Sequence, residues 1–270
     1  VIQITNDINY QFFMVKWIVA VTFGYRRTTG QGGLSMESSV CSHCTHGLCI
    51  SKVSIFKQLS RDEMIEVLKK VHHITIEKGE TFVHEGDQSS TLYIINSGIA
   101  KLIRSSSLGK EQIISLQTDG DIIGEYYLLS NFEPYNFSVT ALSNMKICTL
   151  HKSDMDEILD IHPHLCRTML TELSKKMITI ENKLQNIAIT DTDAKVAYML
   201  IQLYAKFGYT NKEGTIIDNP LSREDMANFA GMTRETMSRY LNKLAKEGVI
   251  RFMDKKRILL IQKDLLESYL

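Results

Sequence analysis

Hydrophobic and polar positions change rhythm several times along the chain. From Phe56 to Val71, the residues Leu59, Met64, Val67, Leu68 and Val71 give an apolar side, which predicts a helix or two. From Ile74 to Leu150 the apolar runs shorten and are punctuated by Gly79, Gly86, Gly98, Gly109, Gly120 and Gly124. Ile74–Ile76, Thr91–Ile95, Ala100–Ile103, Gln112–Leu116, Ser138–Ala141 and Lys146–Leu150 are strand candidates. Many short strands with glycine turns predict a sandwich or jelly roll. Pro163 can open a helix running to about Ile189. Within it Leu170, Leu173, Met177, Ile180, Leu184 and Ile187 are spaced 3, 4, 3, 4 and 3 apart, a heptad seam. Lys175, Lys176, Glu181 and Lys183 lie off that seam.

The last rhythm is that of two helices and a hairpin. Ser222 can cap a short helix, with Asp225 three residues on to answer it. Met226, Phe229 and Ala230 follow at helical spacing, and Gly231 breaks the run. Thr233 can cap a second helix, Arg234 to Lys246. On it Glu235, Ser238, Arg239 and Asn242 share one face, while Met237, Leu241 and Leu244 point the other way. Gly248 ends the helix. Val249–Phe252 and Arg257–Ile261 then predict two short strands around an Asp254-Lys255-Lys256 turn. The pattern is that of a winged helix-turn-helix, whose second helix enters a DNA major groove.

Charge supports that use. The 270 residues sum to zero net charge, yet Leu221–Arg257 holds nine basic and five acidic residues. Arg239 can donate two parallel hydrogen bonds to a guanine, Glu235 can accept from a cytosine amino group, and Ser238 can meet a base edge. Thr233, Arg234, Asn242, Lys255, Lys256 and Arg257 suit contacts to the DNA backbone, which add affinity without sequence information. The bland alternative is a solvated helix face with a Glu235–Arg239 pair. A protein-binding module is a further rival, and the basic wing argues against it.

The stretch Arg234-Glu235-Thr236-Met237-Ser238-Arg239 resembles the recognition helix of the Crp/Fnr family of bacterial transcription regulators. Its Glu-x-x-Ser-Arg pattern is closer to the Fnr-like branch, and the resemblance covers roughly Val40 to Leu270. It implies an α+β fold: an N-terminal cyclic-nucleotide-binding-type β-roll, a long dimerisation helix and a C-terminal winged helix-turn-helix. Glu85-Gly86-Asp87 and Gly120-Asp121-Ile122-Ile123-Gly124-Glu125 are similar to turns of that roll. Members that bind a cyclic nucleotide follow Gly-Glu, here Gly124-Glu125, with an Arg-Ser pair about ten residues on. That pair falls at Tyr135-Asn136, with no cation for the phosphate. Gly124 and Glu125 are therefore expected to form a structural turn, and cyclic AMP is not expected as the effector.

The expected division is an extension over 1–35, a cysteine-containing arm over 36–55, the roll over 56–152, the dimerisation helix over 153–190 and the DNA-binding domain over 191–270. The apolar run Phe12–Phe23 is too short to span a membrane. The reading adopted for 1–35 is a mis-assigned extension ahead of a start at Met36. A seam without acidic members predicts a homodimer whatever the sensor's state. Its two recognition helices would meet a palindromic, Fnr-type double-stranded site with half-sites one helical turn apart. RNA polymerase would be a further partner of an activator, and the cytoplasm is the expected compartment.

Five cysteines, three of them within Cys41–Cys49, do not resemble a secreted disulfide framework. Cys41, Cys44 and Cys49 make C-x2-C-x4-C, Cys148 lies in the last strand candidate, and Cys166 is expected as a small buried hydrophobe. In oxygen-sensing Fnr proteins a comparable layout binds a [4Fe–4S] cluster, which implies Cys41, Cys44, Cys49 and Cys148 as ligands. The spacing to Cys49 is one residue shorter than in the best-known members. Related regulators use an arm-to-roll disulfide instead, which would pair one arm cysteine with Cys148. Zinc on the arm cysteines with His43 or His46 is the third reading. A small-molecule effector in the roll is an alternative to redox sensing altogether. A redox enzyme built on Cys41-Ser42-His43-Cys44 would need a βαβ unit beside the motif; none follows, so no enzyme is expected.

Overall fold

The computed structural model describes residues 49–88, 90–106, 109–128, 133–187 and 191–269. The expected extension and most of the arm, including Met36, Cys41 and Cys44, lie outside the described residues, as do the side chains of Cys49, Ile180, Leu184 and Ile187.

Two 3-10 turns, Cys49–Lys52 and Ser54–Phe56, lead into α1 (Arg61–Leu68). The roll follows as β1 (His72–Ile76), β2 (Thr81–Val83), β3 (Thr91–Ser97), β4 (Ala100–Ser105), β5 (Glu111–Gln117), β6 (Ile122–Ile123), α2 (Glu125–Leu128), β7 (Ser138–Ala141) and β8 (Met145–His151). It forms two antiparallel sheets, ordered β1-β8-β3-β6 and β2-β7-β4-β5. Side-chain alternation explains the packing. Ile95, Ile123, Met145 and Ile147 face Val83, Val139 and Ala141 in the interior between the sheets. Leu92, Ile94, Cys148 and Leu150 point the other way, into a second cluster with Ile50, Phe56, Val67, Leu68 and Ile158. The central strands β3 and β8 are thus buried on both faces.

α3 (Lys152–Ile161) and α4 (His164–Ile187) occupy the segment expected as one dimerisation element over 153–190. Their separation follows from Pro163, which disfavours helical geometry in the residue before it. His162 accordingly sits at φ −121°, ψ 67°. Cys166, expected to be buried, is exposed on α4. The helix turns that position outward, and its neighbour Leu165 takes the buried place.

α5 (Thr192–Phe207) and the hairpin β9 (Gly208–Asn211) and β10 (Gly214–Asp218) precede α6 (Arg223–Ala230), α7 (Arg234–Lys246), β11 (Ile250–Phe252), β12 (Arg257–Leu260) and α8 (Lys263–Ser268). The third sheet runs β11-β12-β10-β9. Its core gathers Val196, Leu200 and Leu203 of α5 with Met226, Met237, Leu241, Leu244 and Ile258. Ile113 and Leu116, on β5 of the roll, belong to the same cluster. Around this shared contact Lys101 Nζ lies 2.5 Å from Asp225 Oδ1. Lys206 Nζ donates to Asp121 Oδ2 at 2.7 Å and to the Leu116 carbonyl at 2.5 Å.

Candidate nucleic-acid interface and sensor residues

The helix-turn-helix is built by two caps and one glycine. Ser222 Oγ accepts from the Asp225 amide at 3.0 Å, and Asp225 Oδ2 accepts from the Ser222 amide at 3.3 Å, closing a capping box. Burial opposes ionisation of Asp225, but Lys101 and Ser222 outweigh it and hold the carboxyl below its ordinary value. Gly231 ends α6 in the left-handed region at φ 68°, ψ 39°, where a glycine carries no Cβ penalty. Thr233 then caps α7, its Oγ1 accepting from the Thr236 amide at 3.3 Å.

α7 is fixed from below and open above. Met237, Leu241 and Leu244 are buried in the domain core, while Glu235, Arg239 and Asn242 are exposed and Ser238 is half-exposed. Arg239 lies over the Tyr240 ring at 5.5 Å. Glu235 and Arg239 form no ion pair among the described residues, so the expected alternative of a closed Glu–Arg pair is not what this face presents. Thr233 and Arg234 are exposed at the helix start. Lys243, on the same helix, is instead tied to Asp193 of α5 at 2.9 Å.

The wing turn is organised by one carboxylate. Asp254 Oδ1 accepts from the amides of Lys256 at 2.8 Å and Arg257 at 2.7 Å, and Oδ2 accepts from Arg257 Nε at 2.7 Å. These bonds, the Arg257 amide first, hold the Asp254 carboxyl down to about 2. Lys255 and Lys256 remain exposed, with no ion pair among the described residues. Arg257 is exposed but shares its guanidinium with Asp254.

On α4, Leu170 and Met177 are 62% and 64% exposed and Leu173 is half-buried, so the described part of the heptad seam lies open on this chain.

In the roll, Gly124 has φ 95°, and a Cβ there would meet the Thr91 carbonyl at 2.7 Å. Tyr135, where the resemblance would place an arginine, is 2% exposed and its hydroxyl donates to that same carbonyl at 2.7 Å. Its ring packs edge-on against Tyr127 at 4.9 Å and lies 5.5 Å from Phe137. Burial raises the Tyr135 phenol well above its ordinary value. Glu125 is buried and ion-paired with Lys176 of α4.

Cys148 is buried on β8, and its sulfur lies 3.2 Å from Nδ1 of His73, its cross-strand partner on β1. His73 was not legible as a partner in the sequence, because the pairing depends on a register across 75 residues. The ionic contacts of Lys101 and Lys176 and the grouping of Glu63, His162 and His164 were missed for the same reason.

Known proteins resemble the chain in both halves. The family described as the cyclic nucleotide-binding domain matches residues 73–162, and the Crp-like helix-turn-helix domain matches residues 194–269. A CRP-like cAMP-activated global transcriptional regulator of Mycobacterium tuberculosis is 26% identical over 208 residues, covering 76% of this chain and 92% of that protein. Transcriptional activator protein FnrA of Stutzerimonas stutzeri is 26% identical over 213 residues, covering 78% and 84%. The solved structure of FixK2 from Bradyrhizobium japonicum shares the fold with a TM-score of 0.65 at 20% identity, covering 74% of this chain and 96% of that one. No helix among the described residues is long and apolar enough to cross a membrane.

Proposed function

The chain belongs to the Crp/Fnr family of DNA-binding transcription regulators, and on that footing we propose that it works as a homodimeric, redox-responsive regulator of an Fnr-type palindromic site. It is no enzyme on this reading, and it acts in the cytoplasm, with RNA polymerase as a partner where it activates. The carrying observation is the outward face of α7: Glu235, Ser238 and Arg239 project from a helix whose opposite side is locked in a core. Lys255 and Lys256 flank it for phosphate contacts. The exposed Leu170 and Met177 support pairing of α4 with its copy, which sets the spacing of two readers.

Cys148 carries the sensing side of the proposal. Its sulfur lies 3.2 Å from His73 Nδ1, and a thiolate is the form of cysteine that ligates metal or attacks a disulfide. Ile50, directly after Cys49, shares the apolar cluster of Cys148, which favours an approach of the arm to this strand. Cys41, Cys44, Cys49 and Cys148 are the residues that would hold a [4Fe–4S] cluster, and four thiols fit that group chemically. When bound, such a cluster supplies a centre that responds to oxygen and redox poise. In the disulfide variant, one arm thiol and Cys148 lose two electrons to an oxidant and release two protons.

Protein purified without oxygen tests this, by its iron and sulfide content and by binding of an Fnr-type duplex before and after oxidation. Redox-dependent binding that Cys148→Ser abolishes supports the reading. Equal binding in both states overturns it.

A second reading, a small-molecule effector in the roll, is favoured by the cyclic-nucleotide-domain match. Against cyclic AMP stand Tyr135 where a phosphate would need a cation, and Glu125 already paired with Lys176. Calorimetric binding of cyclic AMP at micromolar concentration would decide for it.

A further inference from the structure

Three potential metal ligands meet where the roll's last helix hands over to α4. Glu63 of α1, His162 at the end of α3 and His164 at the start of α4 each offer a ligand atom, and these atoms lie within 4.8 Å of one another. His162 Nδ1 is 3.2 Å from Glu63 Oε1. An ion equidistant from all three atoms would sit within about 2.8 Å of each, and rotation of the exposed His164 ring can shorten this toward the 2.0–2.2 Å of zinc bonds.

The groups around the ligands are arranged as a metal site requires. His162 Nε2 lies 3.4 Å from Glu66 Oε2. Nδ1 is thus the ring nitrogen that faces Glu63, and Nε2 the one that faces Glu66. A carboxylate beside the nitrogen turned away from the ion is the arrangement that orients a ligating imidazole. Glu63 is held from its other oxygen, Oε2 accepting from the Ser60 amide at 2.7 Å in the capping box of α1. Pro163 fixes the backbone between the two histidines. His162 is mostly buried and His164 exposed, so one side of the site is open to water as a fourth ligand.

We propose that Glu63, His162 and His164 form a binding site for one divalent transition-metal ion of the zinc type, which clamps α1 to the joint between α3 and α4. The site is distinct from the cysteine arm, and it stands or falls independently of the redox reading. Bound metal fixes the direction in which α4 leaves the roll. The rival arrangement is metal-free, with His162 lying between Glu63 and Glu66.

The test uses the tag-free full chain carrying Cys41→Ser, Cys44→Ser, Cys49→Ser, His43→Ala and His46→Ala, so that the arm's candidate ligands are removed. Equilibrium dialysis with Zn2+ should give one bound equivalent, and Zn2+ should raise the melting temperature. Cobalt in its place should show visible ligand-field bands without a sulfur-to-metal charge-transfer band. His164→Ala removes an exposed side chain and should leave the metal-free melting temperature unchanged. Glu63→Gln keeps an oxygen for the Ser60 amide. Each should weaken zinc binding at least tenfold and abolish the thermal shift. No stoichiometric binding to the arm variant, binding unchanged by either substitution, or a cobalt spectrum with thiolate character would overturn the proposal.

Discussion

Arg239→Ala is the sharpest probe of the reading face. In the free protein the side chain is exposed, and its contact is the Tyr240 ring at 5.5 Å. Such an exposed cation–aromatic contact contributes only about 0.5–1 kcal/mol, so the melting temperature should barely move. On DNA, one bidentate guanidinium–guanine pair supplies about 1–3 kcal/mol of discrimination. That is roughly a five- to 140-fold loss for a single half-site. A symmetric dimer carries two such arginines far apart, so the losses add to about 2–6 kcal/mol on a full palindrome. Fluorescence anisotropy at fixed salt, with the palindromic duplex beside a scrambled duplex of equal length, reads both quantities. The palindrome should lose most of its advantage while the scrambled duplex changes little. An equal loss on both duplexes, or none on either, would refute the assignment of Arg239 as a base reader.

Substituting Lys255 and Lys256 together by alanine should weaken palindromic and scrambled duplexes alike and flatten the plot of log affinity against log salt by about 0.9 per phosphate contact removed; a change confined to the palindrome would contradict a backbone role. Leu170→Glu with Met177→Glu places carboxylates on two exposed seam positions and should shift the sedimentation equilibrium toward monomer; an unchanged dimer would move the interface elsewhere. Lys101→Ala should lower stability by roughly 1.5–3 kcal/mol at neutral pH, the range for a charged hydrogen bond, since both partners are largely buried. The Asp225 carboxyl is depressed in the fold. Its contribution is therefore present above the ordinary aspartate value and lost as pH falls through the lowered one. Wild type and variant should converge in acid, as urea titrations across pH can show, and a gap that persisted there would count against the pair.

Local signals were legible and distant ones were not. Ser222 with Asp225, Gly231 and Thr233 mark the helix-turn-helix because caps and left-handed glycines act within a few residues, and α6 and α7 lie where those signals put them. The strand candidates of the roll were found from glycine-bounded apolar runs, whereas β2 and β6, of three and two residues, are too short to show a period. α5 was not anticipated. Buried residues at 194, 196, 197, 199, 200 and 203 leave little polar face to contrast with. The seam on α4 was plain as a heptad, yet whether Leu170 and Met177 would be covered by the same chain depended on tertiary packing. The exposure of Cys166 and the pairing of Cys148 with His73 depended on it equally.

The sharing of Ile113 and Leu116 with the DNA-binding core makes the boundary between the two modules an energetic hinge rather than a passive seam. Swinging the helix-turn-helix domain away from the roll would wet two aliphatic side chains now 2% and 4% exposed. At about 1.5–3 kcal/mol apiece, that hydration cost is large enough to hold one posture. It would also leave a calorimetric fingerprint, since freshly hydrated hydrocarbon raises the heat capacity. A reorientation that left heat capacity unchanged would have to slide along this greasy contact without parting it.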